Sequence, residues 1–288
     1  MKIITDSAAD LTREEAQSLK ISVMPLYINF PGGQISSNDL TPDDFYERLE
    51  NMQPDLPTTA QPSEGQFRAL YEQAASEGEE ILSIHISSGL SGTINAARLA
   101  AQHTAGRLVQ VVDSLTLSGG ERFQVLSAAL LTQAGWTKVA VLQRLEEIRL
   151  STEVVYTLET ISYLARGGRI GRVQALAGAL LKIKPIIDVD PQDGKYNNVG
   201  RARTVQKALE DITEMLVKRY QDEAVWVSVM HGRYAEKAQD LASLLQARLN
   251  VGRLEILRIS PVLGVHTGPG IVGAAVMPMR LAADELKH

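Results

Sequence analysis

The sequence predicts an α/β protein of two domains, a smaller parallel-sheet α/β domain followed by an α/β domain with a mixed sheet. Three observations carry this. Short apolar, β-branched runs alternate with amphipathic segments through the first part of the chain, as strand–helix–strand crossovers of a parallel sheet require. Residues 115–150 then read as helix throughout, broken only at Gly135-Trp136-Thr137. Beyond them, strands joined by turns mix with helices, which suggests parallel and antiparallel pairing in one sheet. The expected domains are residues 1–150 and 151–288.

Taken in order, residues 2–5, 21–30, 81–87 and 108–113 are the strand-like runs of the first domain. Between them, Thr41-Pro42 followed by Asp43 and Asp44 opens a helix, because threonine caps, proline suits the first turn and acids favour the helix N-terminus. Ser63 with Gln66 forms a capping box for the next helix. In the hairpin, Gly135 ends one helix and Thr137 caps the second. The second domain begins with a strand at 154–158, a glycine-punctuated segment and a strand at 185–189. It continues with a turn at Pro191-Gln192-Asp193-Gly194 and a helix over 202–220. A strand at 224–230, a helix at 234–249 and strands at 254–259 and 271–277 complete it.

Composition excludes several function classes. The chain has 288 residues, 44% of them hydrophobic and 22% charged, as in soluble globular proteins. A net charge of −5 and no long Lys/Arg run argue against nucleic acid as a partner. With no cysteine there is no disulfide, thiolate metal site or cysteine nucleophile. No histidine pair has zinc-site spacing, so no metal and no cofactor is expected. The amino-terminal segment turns polar at Thr5 and Asp6, too early for a signal peptide, so a cytoplasmic location is expected; transient membrane contact stays open.

Four loops rich in glycine and hydroxyls fall near strand or helix ends, where open α/β sheets place their ligands. Ser87-Ser88-Gly89-Leu90-Ser91-Gly92-Thr93 follows a strand and opens a helix. Free amides at a helix start, close backbone approach at glycine and serine hydroxyls suit an anion, although Ser91 serves equally as a plain N-cap. Thr58-Thr59-Ala60-Gln61-Pro62-Ser63 leads into the Ser63-capped helix, and a structural loop is its simpler reading. Gly264-Val265-His266-Thr267-Gly268-Pro269-Gly270, read as a loop between two strands, offers an imidazole outside a regular core face. Leu164-Ala165-Arg166-Gly167-Gly168-Arg169-Ile170-Gly171-Arg172 offers guanidinium groups to an anion or an acidic partner, or simply to solvent. Nucleophile-elbow, phosphate-loop and dinucleotide motifs are missing. Asp6 and Asp113 sit at strand ends as acids or as ordinary caps.

Together these loops are recognisable. TDSAADL at 5–11, TTAQPS at 58–63, ISSGLSGT at 86–93, VVDS at 111–114, ARGGRIGR at 165–172, IKPII at 183–187, GRARTVQKAL at 200–209 and GVHTGPG at 264–270 resemble, in order and over nearly the whole chain, the DegV family. The family's usual Thr-Ser-Gln-Pro is Thr-Ala-Gln-Pro here, which keeps Thr59 and loses one hydroxyl at Ala60. The resemblance implies a non-catalytic subunit that binds a long-chain fatty acid and presents it to a partner fatty acid kinase for acyl-phosphate formation, a step of phospholipid metabolism. It implies Thr59, Ser91 and Gly92 as direct carboxylate partners, His266 and Arg169 as supporting members of that network, and Arg203 or its neighbour Arg201 as the kinase-docking arginine. The second domain would contribute the acyl pocket, with residues 173–181 and 271–277 as candidate walls. Two alternatives stay open: a stand-alone hydrolase or small-molecule kinase using Ser91, His266 or Asp6, and a carrier of another apolar acid with no kinase partner.

Overall fold

The structure is a computed structural model that describes residues 1–76, 78–104, 109–173 and 183–282. The first domain contains β1 (Lys2–Asp6), α1 (Arg13–Ser18), β2 (Ser22–Met24), β3 (Tyr27–Phe30), β4 (Gly33–Ser36), α2 (Pro42–Asn51), β5 (Thr58–Ala60) and α3 (Glu64–Ser76). It continues with β6 (Ile81–His85), α4 (Thr93–His103), β7 (Val109–Asp113), α5 (Ser118–Gln133) and α6 (Lys138–Ser151). An all-parallel sheet of order β2-β1-β6-β7 is its centre. Side chains alternate across it as strand geometry demands. Ile4 and Ile81 pack with Phe67, Tyr71 and Ala97 of α3 and α4, while Ile3 and Leu82 pack with Phe123 and Leu126 of α5.

The second domain contains β8 (Glu153–Leu158), α7 (Ser162–Arg166), β9 (Lys184–Val189), β10 (Tyr196–Ala202), α8 (Val205–Tyr220), β11 (Val225–His231), α9 (Ala235–Arg248), β12 (Val251–Arg258), α10 (Pro261–Thr267) and β13 (Ile271–Pro278). Its sheet has the order β10-β9-β8-β13-β11-β12. Only β11 and β12 pair in parallel, so the sheet is mixed. α8 and α9 cover one face through Leu209, Ile212, Leu241 and Leu245. The other face turns Tyr156, Trp226 and Ala275 toward α5.

α5 therefore lies between the two sheets, and every residue from 118 to 131 is buried. Buried polar groups on such a helix need partners. Arg122, 2% exposed, forms ion pairs with Glu15 and Glu255, donates to Ser228 Oγ at 3.1 Å and stacks over Trp226. The pairs run from α1 through α5 to β12 and so tie the two domains. Gln124 donates to the Ser114 carbonyl at 3.0 Å.

Most predicted starts and stops hold. Thr41 accepts from the Asp44 amide and caps α2. Ser63 and Gln66 exchange both bonds of a capping box, at 2.8 and 3.3 Å. Gly135 has φ +81°, and Thr137 caps α6.

Five expectations need correction. The single strand over 21–30 is two: Pro25, which has no N–H, separates β2 in the parallel sheet from β3. β3 pairs instead in a three-stranded antiparallel sheet of order β4-β3-β5. The helix expected from 115 begins at Ser118, because Leu115 and Ser118 hold positive φ. The helix expected from 202 begins at Val205 under a Thr204 cap, and the residues before it form β10 against β9. The first three residues of the Thr58–Ser63 stretch are strand rather than loop. The Gly264-to-Gly270 stretch is not a loop between strands either, since Ser260-Pro261 starts α10 and the helix runs to Thr267. Residues 108 and 174–181, expected in a strand and a pocket wall, lie outside the described residues.

Candidate functional site

The site is assembled from loops of both domains. β5 carries Thr59 opposite Ile28 of β3. The Thr59 hydroxyl lies 2.9 Å from His266 Nε2 in the last turn of α10. On its other side the imidazole presses against Gly167, where a Cβ would stand 2.2 Å from Nδ1. His266 Nδ1 is buried and has no partner among the described residues. Burial, helped by the charge of Arg169, pushes its pKa down to about 4, so the ring is neutral near pH 7.

The second loop follows β6. Its base is fixed by Ser87, whose carbonyl accepts from the Leu90 and Ser91 amides and whose hydroxyl donates to the Gly194 carbonyl across the domain boundary at 2.8 Å. Ser91 Oγ lies 2.9 Å from Thr93 Oγ1 and accepts from the Thr93 amide at 3.2 Å. Gly92 stands at the N-cap of α4 with no side-chain cap. Its own N–H donates to no described residue, which leaves an amide free at a helix N-terminus. The two loops meet at Gly92, because a Cβ there would lie 2.2 Å from Gln61 Oε1, two residues beyond Thr59. Arg169 leans over this junction from the glycine-rich loop, donating to the Gly167 carbonyl at 2.6 Å and reaching the Leu90 carbonyl at 3.5 Å.

Thr59, Ser91, Gly92, Arg169 and His266 thus form one continuous chain of contacts. It offers hydroxyls, an amide and a guanidinium, a donor set for an anion. Gln61, Thr93 and Gly167 belong to the same cluster and were not singled out in the sequence. Each stands inside a recognised motif, but only the packing shows what it touches. Arg201, on β10 opposite Pro185, and Arg203, in the link to α8, stand apart from the cluster. Both are exposed and make no ion pair with a described residue.

Among the described residues, no hydrogen bond joins any two of Ser91, His266 and Asp6. His266 bonds to Thr59 and Ser91 to Thr93. Asp6 is fully buried and accepts from the Ala8 and Ile86 amides at 2.9 and 3.0 Å, with His85 Nδ1 3.0 Å away. Asp113 accepts from the Ser88 and Leu115 amides, the capping role. Beside the cluster, on the face of α10 that carries Leu263 and Thr267, lies an apolar cavity of about 10 Å³ walled also by Leu117, Tyr156, Ile187 and Tyr196.

Comparison with known proteins agrees with this architecture. A family model described as an uncharacterised protein of the DegV family matches residues 1–279. The chain belongs to the DegV family. A DegV domain-containing protein of Deinococcus radiodurans is 37% identical over 281 residues, 96% of this chain and 98% of its own. A DegV structure from Thermus thermophilus, described by its fatty acid binding, superposes with a TM-score of 0.90 at 33% identity, covering 96% of this chain and 99% of its own. A stearic acid-binding protein from Eubacterium ventriosum superposes with a TM-score of 0.86 at 25% identity, covering 96% of this chain and 98% of its own.

Proposed function

We propose that this protein binds one long-chain fatty acid, holds its carboxylate at the Thr59–Ser91–Gly92 junction between domains 1–150 and 151–288, and presents it to a separate fatty acid kinase. The observation that carries the reading is the Thr59–His266 pair beside a free helix-terminal amide. The fatty acids named for the Thermus and Eubacterium structures support the ligand class.

Physical chemistry divides the work between tail and head. An acyl chain of about 15 methylenes, at roughly 0.8 kcal/mol each, supplies on the order of 12 kcal/mol before ordering costs. The head cannot be buried bare and needs donors. For Thr59 to donate its O–H to the carboxylate, its oxygen accepts from His266 Nε2–H. The low pKa keeps the imidazole neutral, and this arrangement leaves Nδ1 unprotonated against Gly167. Ser91 and the Gly92 amide supply further donors, and Arg169 adds charge from the rim. Hydroxyl and amide donors leave a carboxylate lone pair free to attack the terminal phosphorus of ATP on the kinase, and the bond from that phosphorus to the bridging oxygen breaks with ADP as the leaving group.

The exposed arginines, Arg203 and Arg201, are the docking candidates, set apart from the head group so that docking and binding separate. The setting is cytoplasmic, with transient membrane contact for exchange of the acid. Among the described residues no helix is long and apolar enough to cross a membrane. Titration of the delipidated protein with a fatty acid tests this reading. Thr59→Ala and Ser91→Ala each weaken binding by about tenfold or more, the cost of one hydrogen bond to a charged group. Arg203→Ala leaves binding intact and slows acyl-phosphate formation with the kinase; loss of fatty acid binding in Arg203→Ala would overturn the docking role.

A further inference from the structure

The cavity beside α10 contains a group that an unsubstituted acyl chain cannot use. Tyr156 on β8 is 2% exposed and lines the cavity. Its hydroxyl is buried and makes no hydrogen bond to any described residue. The ring lies across Gly273 of β13, where a Cβ would stand 2.5 Å from Tyr156 Cδ1. The neighbouring hydroxyl of Ser118, on the same cavity wall, already donates to Asp10 Oδ2 at 2.5 Å and retains only acceptor capacity. Ser118 is near enough to moderate the rise that burial causes in the Tyr156 pKa, but the two hydroxyls are not in hydrogen-bonding geometry.

A phenylalanine at 156 would cover the same apolar surface without burying an unused donor, which folding penalises. Of the remaining walls, Leu117, Ile187 and Leu263 carry no side-chain acceptor, and neither the Thr267 hydroxyl, which donates to the Leu263 carbonyl at 3.1 Å, nor that of Tyr196 bonds to Tyr156. The cavity has room for about one water. A ligand that displaces such a water without replacing its hydrogen bonds loses affinity, and one that replaces them does not.

Given the fatty-acid reading, on which this rests, we propose that the acyl chain runs past this cavity and bears an oxygen substituent along its length, as in a hydroxy or oxo fatty acid; that oxygen takes the place of one water, accepting from Tyr156, while a hydroxyl form donates to Ser118. Tyr156 then sets specificity, apart from the carboxylate site.

The test is competition for the delipidated protein between octadecanoic acid and a set of monohydroxylated octadecanoic acids, with the hydroxyl moved along the middle of the chain. The wild type prefers at least one hydroxylated isomer by about tenfold. Tyr156→Phe folds, binds octadecanoic acid at least as well as the wild type, and loses the preference. A wild type that favours the plain acid over every isomer, or a preference unchanged in Tyr156→Phe, overturns the proposal and leaves the fatty-acid reading standing. Failure of every acid to bind would instead remove the reading beneath it.

Discussion

Asp10 shows how a single buried acid can link the site to the rest of the protein. It accepts from the Ser260 amide at the start of α10 at 2.8 Å and from Ser118 at the start of α5 at 2.5 Å. It thereby fixes the helix that carries His266. Burial raises its pKa to about 6 against the pull of those two hydrogen bonds. The folded protein therefore holds a proton that the unfolded chain has released once pH exceeds about 4. Asp10 thus costs stability progressively as pH rises from about 4 to about 6, and the cost is complete above that. His266 has the opposite sign: its depressed pKa costs stability as pH falls from about 6.5 toward about 4. Asp10→Asn keeps an acceptor for Ser260 and presents an amide to Ser118, without a charge to bury. Its stability relative to wild type should rise by about 1 kcal/mol or more between about pH 4.5 and about pH 7.5 in urea titrations. An unchanged difference would mean that Asp10 titrates normally. Nothing in the TDSAADL string distinguishes Asp10 from the other acid, Asp6, because burial and the partners of each come from distant segments.

At the scale of elements, α5 holds both sheets, and its fit is tight on the β13 side. A Cβ on Gly119 would stand 2.6 Å from Ala275 Cβ, which is fixed to a central strand and cannot rotate away. Gly119→Ala gains about 1 kcal/mol of helix propensity but incurs about 1–3 kcal/mol of overpacking, so a net loss of about 1 kcal/mol is expected in thermal or urea unfolding. Gly65→Ala in α3, where the nearest atom is Ser63 Oγ at 4.0 Å, should show no such loss. Elements with local signals were legible: the Ser63–Gln66 capping box, the Gly135 helix stop and the short apolar runs of β6 and β8 all act within a few residues. Elements decided by partners were not. β10 carries Asn197, Asn198 and Gly200, poor strand formers that pair only because β9 lies opposite. Nor was the burial of Glu121 and Arg122 in α5 legible: the Thr5 hydroxyl donates to Glu121, and Glu15 and Glu255 pair with Arg122, all from distant segments. α10 was hidden by Gly264 within it and by Gly268 and Gly270 after it, although Ser260-Pro261 is an ordinary helix start.

For the whole molecule, the decisive feature is that the candidate site belongs to neither domain alone. Thr59 and Ser91 come from the first domain, Arg169 and His266 from the second, and the Ser87–Gly194 and Arg122 bonds hold the halves in register. The four loops and the family's order were legible in the sequence, hence the residues proposed for the site. The sequence could not supply the pairing of Thr59 with His266 across 207 positions, or the cavity beside α10. The division of labour proposed here places affinity in the tail and retention geometry in the head. Denaturing extraction of the purified protein, followed by quantitative lipid mass spectrometry on wild type and Ser91→Ala, tests that division most directly. Near-stoichiometric long-chain fatty acid in the wild type and depletion in Ser91→Ala is the predicted result; no lipid in either, or a co-purifying mass outside the fatty acid range, would contradict it.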